Sequence, residues 1–74
     1  MSELQGRLIS YVYSSEGSQA DIALVEPNGD EHVIRCLVKP TGTDLGGEHE
    51  TLAYLNHRYG PETVCRTAKQ TVVG

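Results

Sequence analysis

The sequence predicts an α+β fold: a three-stranded antiparallel meander, one amphipathic helix packed on one face, and a short fourth strand, in the order β-β-β-α-β. Three observations carry this expectation. Residues 7–39 contain β-branched runs with apolar and polar alternation, broken by turn residues. Glu26-Pro27-Asn28-Gly29-Asp30 is a hairpin signature. Residues 48–59 space Leu52, Leu55 and Tyr59 at helical intervals and run into Gly60-Pro61.

The first strand is expected over Arg7–Tyr13. Strict alternation puts Ile9, Tyr11 and Tyr13 on one face and Leu8, Ser10 and Val12 on the other. Ser14, Ser15, Gly17 and Ser18 form a polar turn. The second strand is Ala20–Glu26 and the third His32–Lys39. Between them Pro27 presets φ, Asn28 tolerates the second turn position, and Gly29 takes the left-handed one. The result is a type I turn with a G1 bulge. A three-residue loop sets Glu26 opposite Asp30, and then Ala20 opposite Cys36, Asp21 opposite Arg35 and Ile22 opposite Ile34. The Asp21–Arg35 pair favours this register because opposite charges meet across the strands. The core face then carries Ala20, Ile22, Leu24, Ile34, Cys36 and Val38. The other face carries Asp21, Ala23, Val25, Val33, Arg35 and Leu37. It is still rather apolar, so partial cover by a partner is expected there.

Residues 40–47, with glycines at 42, 46 and 47, read as a flexible crossover in which Thr43 or Asp44 caps the helix. Glu48 and Glu50 in the first helical turn and Arg58 in the last complement the helix dipole. Glu50, Tyr54 and His57 project away from the buried stripe. Thr63–Thr67 reads as the fourth strand, and Thr71–Val73 as an added edge strand or a frayed tail. The whole, residues 1–74, is expected to form one small domain.

Composition bounds what such a chain does. It has 74 residues, of which 38% are apolar and 22% charged, and it contains no Phe or Trp. Area scaling gives a folded surface of about 4,500 Å² against about 12,000 Å² unfolded, enough for one small core. That core is expected to be Ile, Leu and Val, edged by the four tyrosines. A core of this size rarely supplies more than ~3–5 kcal/mol of net stability. Either a marginal monomer or a homodimer with added interface burial follows, and the dimer is preferred. No segment approaches the ~18 apolar residues of a membrane span. The N-terminus lacks a secretory pattern, and two cysteines make no disulfide framework. The expected compartment is cytoplasmic, with reduced thiols.

The side chains show little chemistry. Cys36 and Cys65 read as small buried fillers. His49 and His57 stand eight residues apart, about 12 Å along a helix, and do not share a metal. The glycine loop has no Gly-Lys-Ser/Thr, and Asp44, Glu48 and Glu50 repel phosphate. The carboxylate pairs Asp30-Glu31 and Glu48/Glu50 are expected to be solvated. No catalytic residue, metal or other cofactor is assigned.

The expected function is therefore that of a non-enzymatic interaction module. It would bind and modulate or inhibit a larger protein partner, as small regulators and phage-encoded inhibitors of host defence do. Tyrosines supply contact area at low entropy cost, so Tyr54, His57 and Glu50 on the helix and Tyr11 and Tyr13 on the first strand are the candidate contacts. The alternative is a sheet-based nucleic-acid binder, which requires Arg7, Arg35 and Arg66 to line up on an exposed sheet face. Six Lys and Arg against ten Asp and Glu argue against it. A small thiol or metal protein is the third class.

Overall fold

The computed structural model describes residues 3–73. Four strands, β1 (Gln5–Val12), β2 (Ser18–Val25), β3 (Glu31–Lys39) and β4 (Gly42–Gly46), form one antiparallel sheet in the order β1-β2-β3-β4. Two helices, α1 (His49–Tyr59) and α2 (Pro61–Val73), pack on one side of it. The class is α+β, with the expected meander extended by β4 and the expected last strand replaced by a second helix.

The β2–β3 hairpin forms as its turn chemistry dictates. The Gly29 N–H donates to the Glu26 carbonyl at 2.8 Å, and the Glu26 N–H to the Asp30 carbonyl at 2.8 Å. Ala20 pairs with Cys36, Asp21 with Arg35 and Ile22 with Ile34. The Arg35 Nε donates to Asp21 Oδ1 at 3.1 Å, so the charge match that favoured the register is present.

Three expectations are corrected. First, β1 does not alternate strictly. Leu8 pairs with Ile22 and Ser10 with Asp21, which leaves Ile9 as an extra, bulged residue. A bulge shifts the pleat by one position. Gly6, Leu8 and Tyr11 therefore lie on the helix side, and Arg7, Ser10 and Val12 on the open side. Second, residues 40–47 are no crossover. The chain turns at Pro40 and Thr41 and returns as β4, with Leu45 opposite Cys36 and packed on the core. Thr43 and Asp44 are thus strand residues and cap nothing. Glu48 is the N-cap through its carbonyl alone, which accepts the Thr51 and Leu52 N–H groups at 3.1 and 3.2 Å.

Third, Thr63–Thr67 and Thr71–Val73 belong to α2. Val64 and Ala68, both fully buried, and Val72 recur every four residues and face the sheet. The β-branched residues in this segment resemble a strand locally, but burial of that stripe outweighs a propensity worth only tenths of a kcal/mol per residue. Gly60-Pro61 ends α1 as expected and also starts α2. Proline suits a first helical position, where the N–H it lacks has no partner in any case. The Gly60 N–H donates to the Asn56 carbonyl at 2.9 Å, while the Gly60 carbonyl accepts from the Val64 N–H at 3.1 Å. One residue, at φ 92°, therefore closes one helix and opens the next.

The core joins Leu4, Ala20, Ile22, Leu24, Ile34, Cys36, Leu55, Val64 and Ala68. α2 approaches β1 closely enough that a Cβ on Gly6 would overlap the Thr71 side chain. β1 is the exception to burial: it is exposed along its whole length. The folded surface is 5068 Å², above the about 4,500 Å² that scaling gives. Among the described residues, no helix is long and apolar enough to cross a membrane.

Gly60→Ala tests the shared cap. The space around Gly60 is open, so the penalty is conformational alone, about 1–3 kcal/mol for a non-glycine residue in this region. Urea unfolding is expected to show a lower midpoint with an unchanged slope, and an unchanged midpoint would refute the shared cap.

Candidate functional site

The core-face alternation of β2, Ala20, Ile22, Leu24, continues one step past the strand to Glu26. Its carboxyl is therefore carried inward, and the residue is only 3% exposed. On β3 the same alternation runs back from Cys36 and Ile34 to His32. The hairpin thus sets His32 beside Glu26, with Nε2 2.7 Å from Oε2. The last turns of α1 bring two hydroxyl donors to Oε1, Tyr54 at 2.9 Å and Tyr59 at 2.7 Å, and the Arg58 guanidinium adds a cation with Nε 3.2 Å from Oε1 while donating its Nε–H to the Tyr59 hydroxyl. The charged carboxylate is thus surrounded by donors from β3 and α1.

These bonds hold the Glu26 carboxyl at a pKa of about 2, below its ordinary 4.5. The hydrogen bond from His32 has the largest effect, followed by that from Tyr59; burial opposes them and is outweighed. The same contacts raise both phenols. For Tyr54 the bond to Glu26 is the main cause, and for Tyr59 burial is. Three hydrogen bonds, two at Oε1 and one at Oε2, engage the carboxylate. A general base needs a pKa near the working pH. At about 2 the Glu26 pKa lies well below it, so the group is a fixed anion that orients its donors.

Sequence reading placed Glu26 at the end of the second strand and in the turn, assigned it no side-chain partner, and so missed this cluster. The signal was present in the two-residue period that already placed Ile22, Leu24, Ile34 and Cys36 inward. Extending it by one step at each strand end finds Glu26 and His32. Tyr59 was expected in the buried stripe, and Arg58 was noted only for the helix dipole.

The structure divides the candidate contact residues between two surfaces. Tyr54, Glu50 and His57 lie on α1, all exposed, with Tyr54 at 43%. Its ring centroid is 5.4 Å from that of His32, so ring and hydroxyl are both held. Tyr11 and Tyr13 lie at the far end of β1, 48% and 79% exposed. Gln5 pairs with Val25, next to Glu26, and Tyr11 stands six residue steps along the strand from Gln5, roughly 20 Å. The tyrosines of β1 therefore do not join the α1 group. They belong to a mainly apolar run that only Ser10 interrupts. Among the described residues, five of the seven exposed large hydrophobics are Leu8, Ile9, Tyr11, Val12 and Tyr13.

The remaining candidates are placed as follows. Cys36 is fully buried, and burial pushes its thiol pKa up; Cys65 is half-buried. Among the described residues, no three His, Cys, Asp or Glu side chains cluster as metal ligands. Asp30, Glu31, Glu48 and Glu50 are exposed. On the open sheet face the cations are matched by carboxylates: Arg7 with Glu31 at 2.8 Å, Arg35 with Asp21 at 3.1 Å and Lys39 with Asp44 at 3.3 Å. Arg66 is on α2, in the other layer. The arginine row that a sheet-based nucleic-acid binder requires is not formed. Comparison with family models, curated proteins and solved structures found no match.

The depressed pKa of Glu26 has a sign that can be checked against acid. Its stabilisation is fully present above pH 4.5 and is lost progressively as the pH falls toward 2, where the folded carboxyl protonates. Urea midpoints of the wild type are expected to fall across that window. Glu26→Gln, which has no proton to gain, is expected to flatten the profile there. Parallel profiles for the two proteins would remove Glu26 as the acid-sensitive group.

Proposed function

We propose that this protein is a non-enzymatic interaction module that binds and modulates a larger protein partner through the outward face of α1. The observation that carries the reading is Tyr54, an exposed aromatic ring whose conformation is set before any partner arrives. Its hydroxyl is bound to Glu26 and its ring rests near His32. Ordering a side chain at an interface costs about 0.5–1.5 kcal/mol, and a ring already held avoids that cost. Tyrosine is also among the residues that most often dominate binding energy. Glu50 and His57, four residues before and three after Tyr54, share its helix face. They supply polar contacts around the ring.

The bound Glu26 carboxylate supports the same reading. Among the described residues it is the one buried ionised group, and its partners are tyrosine hydroxyls and His32. The neutralised open sheet face likewise disfavours the nucleic-acid alternative, because phosphate binding draws on unpaired Lys and Arg.

Affinity capture from host lysate tests the proposal, with wild-type, Tyr54→Ala and Lys69→Ala proteins as baits. The wild type and Lys69→Ala are expected to recover one protein in stoichiometric amount. Tyr54→Ala is expected to bind that protein roughly tenfold or more weakly, as hot-spot truncations do. Equal recovery by all three baits would exclude the α1 face. Retained nucleic acid with no protein would reverse the reading.

A further inference from the structure

We propose that the free edge of β1 is the seat of a second copy of this chain, joined across a two-fold axis that passes between Ile9 and Ser10. The proposal rests on the β1 edge and is independent of the α1 face. β1 pairs with β2 on one side only, and among the described residues its outer row of backbone groups faces no other strand. Such an edge is a template for another strand, and here it carries most of the exposed large apolar side chains.

The bulge decides the register. Strands that pair antiparallel across a two-fold axis place same-face residues opposite one another. In an unbulged strand this requires the axis to pass through a residue. With Ile9 inserted, pairings on both sides of the bulge match faces only when the axis falls between residues. On the chosen axis Leu8 meets the partner's Tyr11 on the helix side, and Arg7 meets the partner's Val12 on the open side. Each contact occurs twice, as a closed dimer requires.

The same register accounts for a groove. An open cleft of about 840 Å³ runs between β1 and α2, lined in part by Gly6, Leu8, Arg66, Thr67, Gln70 and Thr71. Gly6 and Leu8 are the residues opposite the partner's Tyr13 and Tyr11. Continuing the strand alternation, both partner rings enter this cleft, where Arg66, Thr67 and Gln70 offer polar partners to their hydroxyls. Two of the most exposed apolar side chains of one copy thereby fill the open cleft of the other, and the reverse.

The self-complementary fit of rings and cleft selects a second copy as the occupant, and charge places it at β1 rather than elsewhere on the surface. Each chain carries a net charge of −4, so most pairings of two copies are repulsive. Residues 8–13 contain no charge, and the adjacent Arg7 is neutralised by Glu31. β1 is the part of this acidic surface where two copies approach with least repulsion, and pairing there removes an edge otherwise open to aggregation.

Two measurements test the proposal. Sedimentation equilibrium of the wild type is expected to give twice the 8.1 kDa chain mass, falling toward one chain mass on dilution. Tyr11→Lys, which alters a half-exposed side chain, is expected to give one chain mass with an unchanged circular dichroism spectrum. Directly opposed Cβ atoms lie about 4.5–5.5 Å apart, close to disulfide range. In a Cys65→Ser background, an oxidised mixture of Leu8→Cys and Tyr11→Cys chains is therefore expected to form mixed disulfide dimers faster than either variant alone. A wild type that stays at one chain mass overturns the proposal and leaves the edge to another protein's strand. A Tyr11→Lys dimer overturns the β1 seat, and faster self-linking of Leu8→Cys overturns the register.

Discussion

The Glu26 carboxylate is the contact on which the arrangement of α1 depends. It is an ion taken out of water at the turn end of the β2–β3 hairpin, and it is tolerable there because three donors and the Arg58 cation surround it. One donor comes from the sheet, and two donors and the cation come from α1. The carboxylate therefore acts as a directional tie in a molecule whose apolar contacts, made by Ile, Leu, Val and Ala, are not directional. It fixes how far α1 slides along the hairpin and how it is rotated. That rotation in turn decides that Leu55 points inward and that the Tyr54 ring stands at the surface.

Much of the sheet was legible because its signals are local. Pro27, Asn28 and Gly29 specify a turn, the turn specifies a register, and the register is confirmed by the Asp21–Arg35 pair. The illegible parts are those decided at a distance. Residues 63–73 carry two local signals, β-branched side chains that suit a strand and a four-residue recurrence of Val64, Ala68 and Val72 that suits a helix; the sheet surface that this stripe covers decides between them. The bulge at Ile9 is also invisible locally, because Arg7–Tyr13 alternates well by itself. Gly-rich residues 42–47 read as loop, although Leu45 had a core to reach. For the site, Tyr54, His57 and Glu50 were found by helical spacing, whereas Glu26 and His32 were overlooked because charged residues beside a turn are ordinarily solvated.

The two faces of the sheet solve different problems. The helix side buries the core. The open side is exposed yet mixes Val12, Val33 and Leu37 with three cross-strand ion pairs. Exposed ion pairs add little stability, but in an acidic chain they leave that face nearly neutral and patterned. The guanidinium groups of Arg7 and Arg35 are already engaged with carboxylates on that face. The apolar surplus is displaced to β1, at the sheet margin, where the backbone is also unsatisfied on one side.

Every strand pairs with its neighbour in sequence, and the two helices are joined by a single glycine. The contacts that form the sheet thus close short loops, and low contact order favours rapid folding. Hairpins of this kind assemble in about 1–10 μs. A meander also recloses quickly after a local opening. When reclosing outruns cleavage, degradation tracks the fraction that is open at any moment. The strand order thus makes resistance to proteases a matter of the equilibrium between closed and open chains rather than of the rate at which the sheet comes apart.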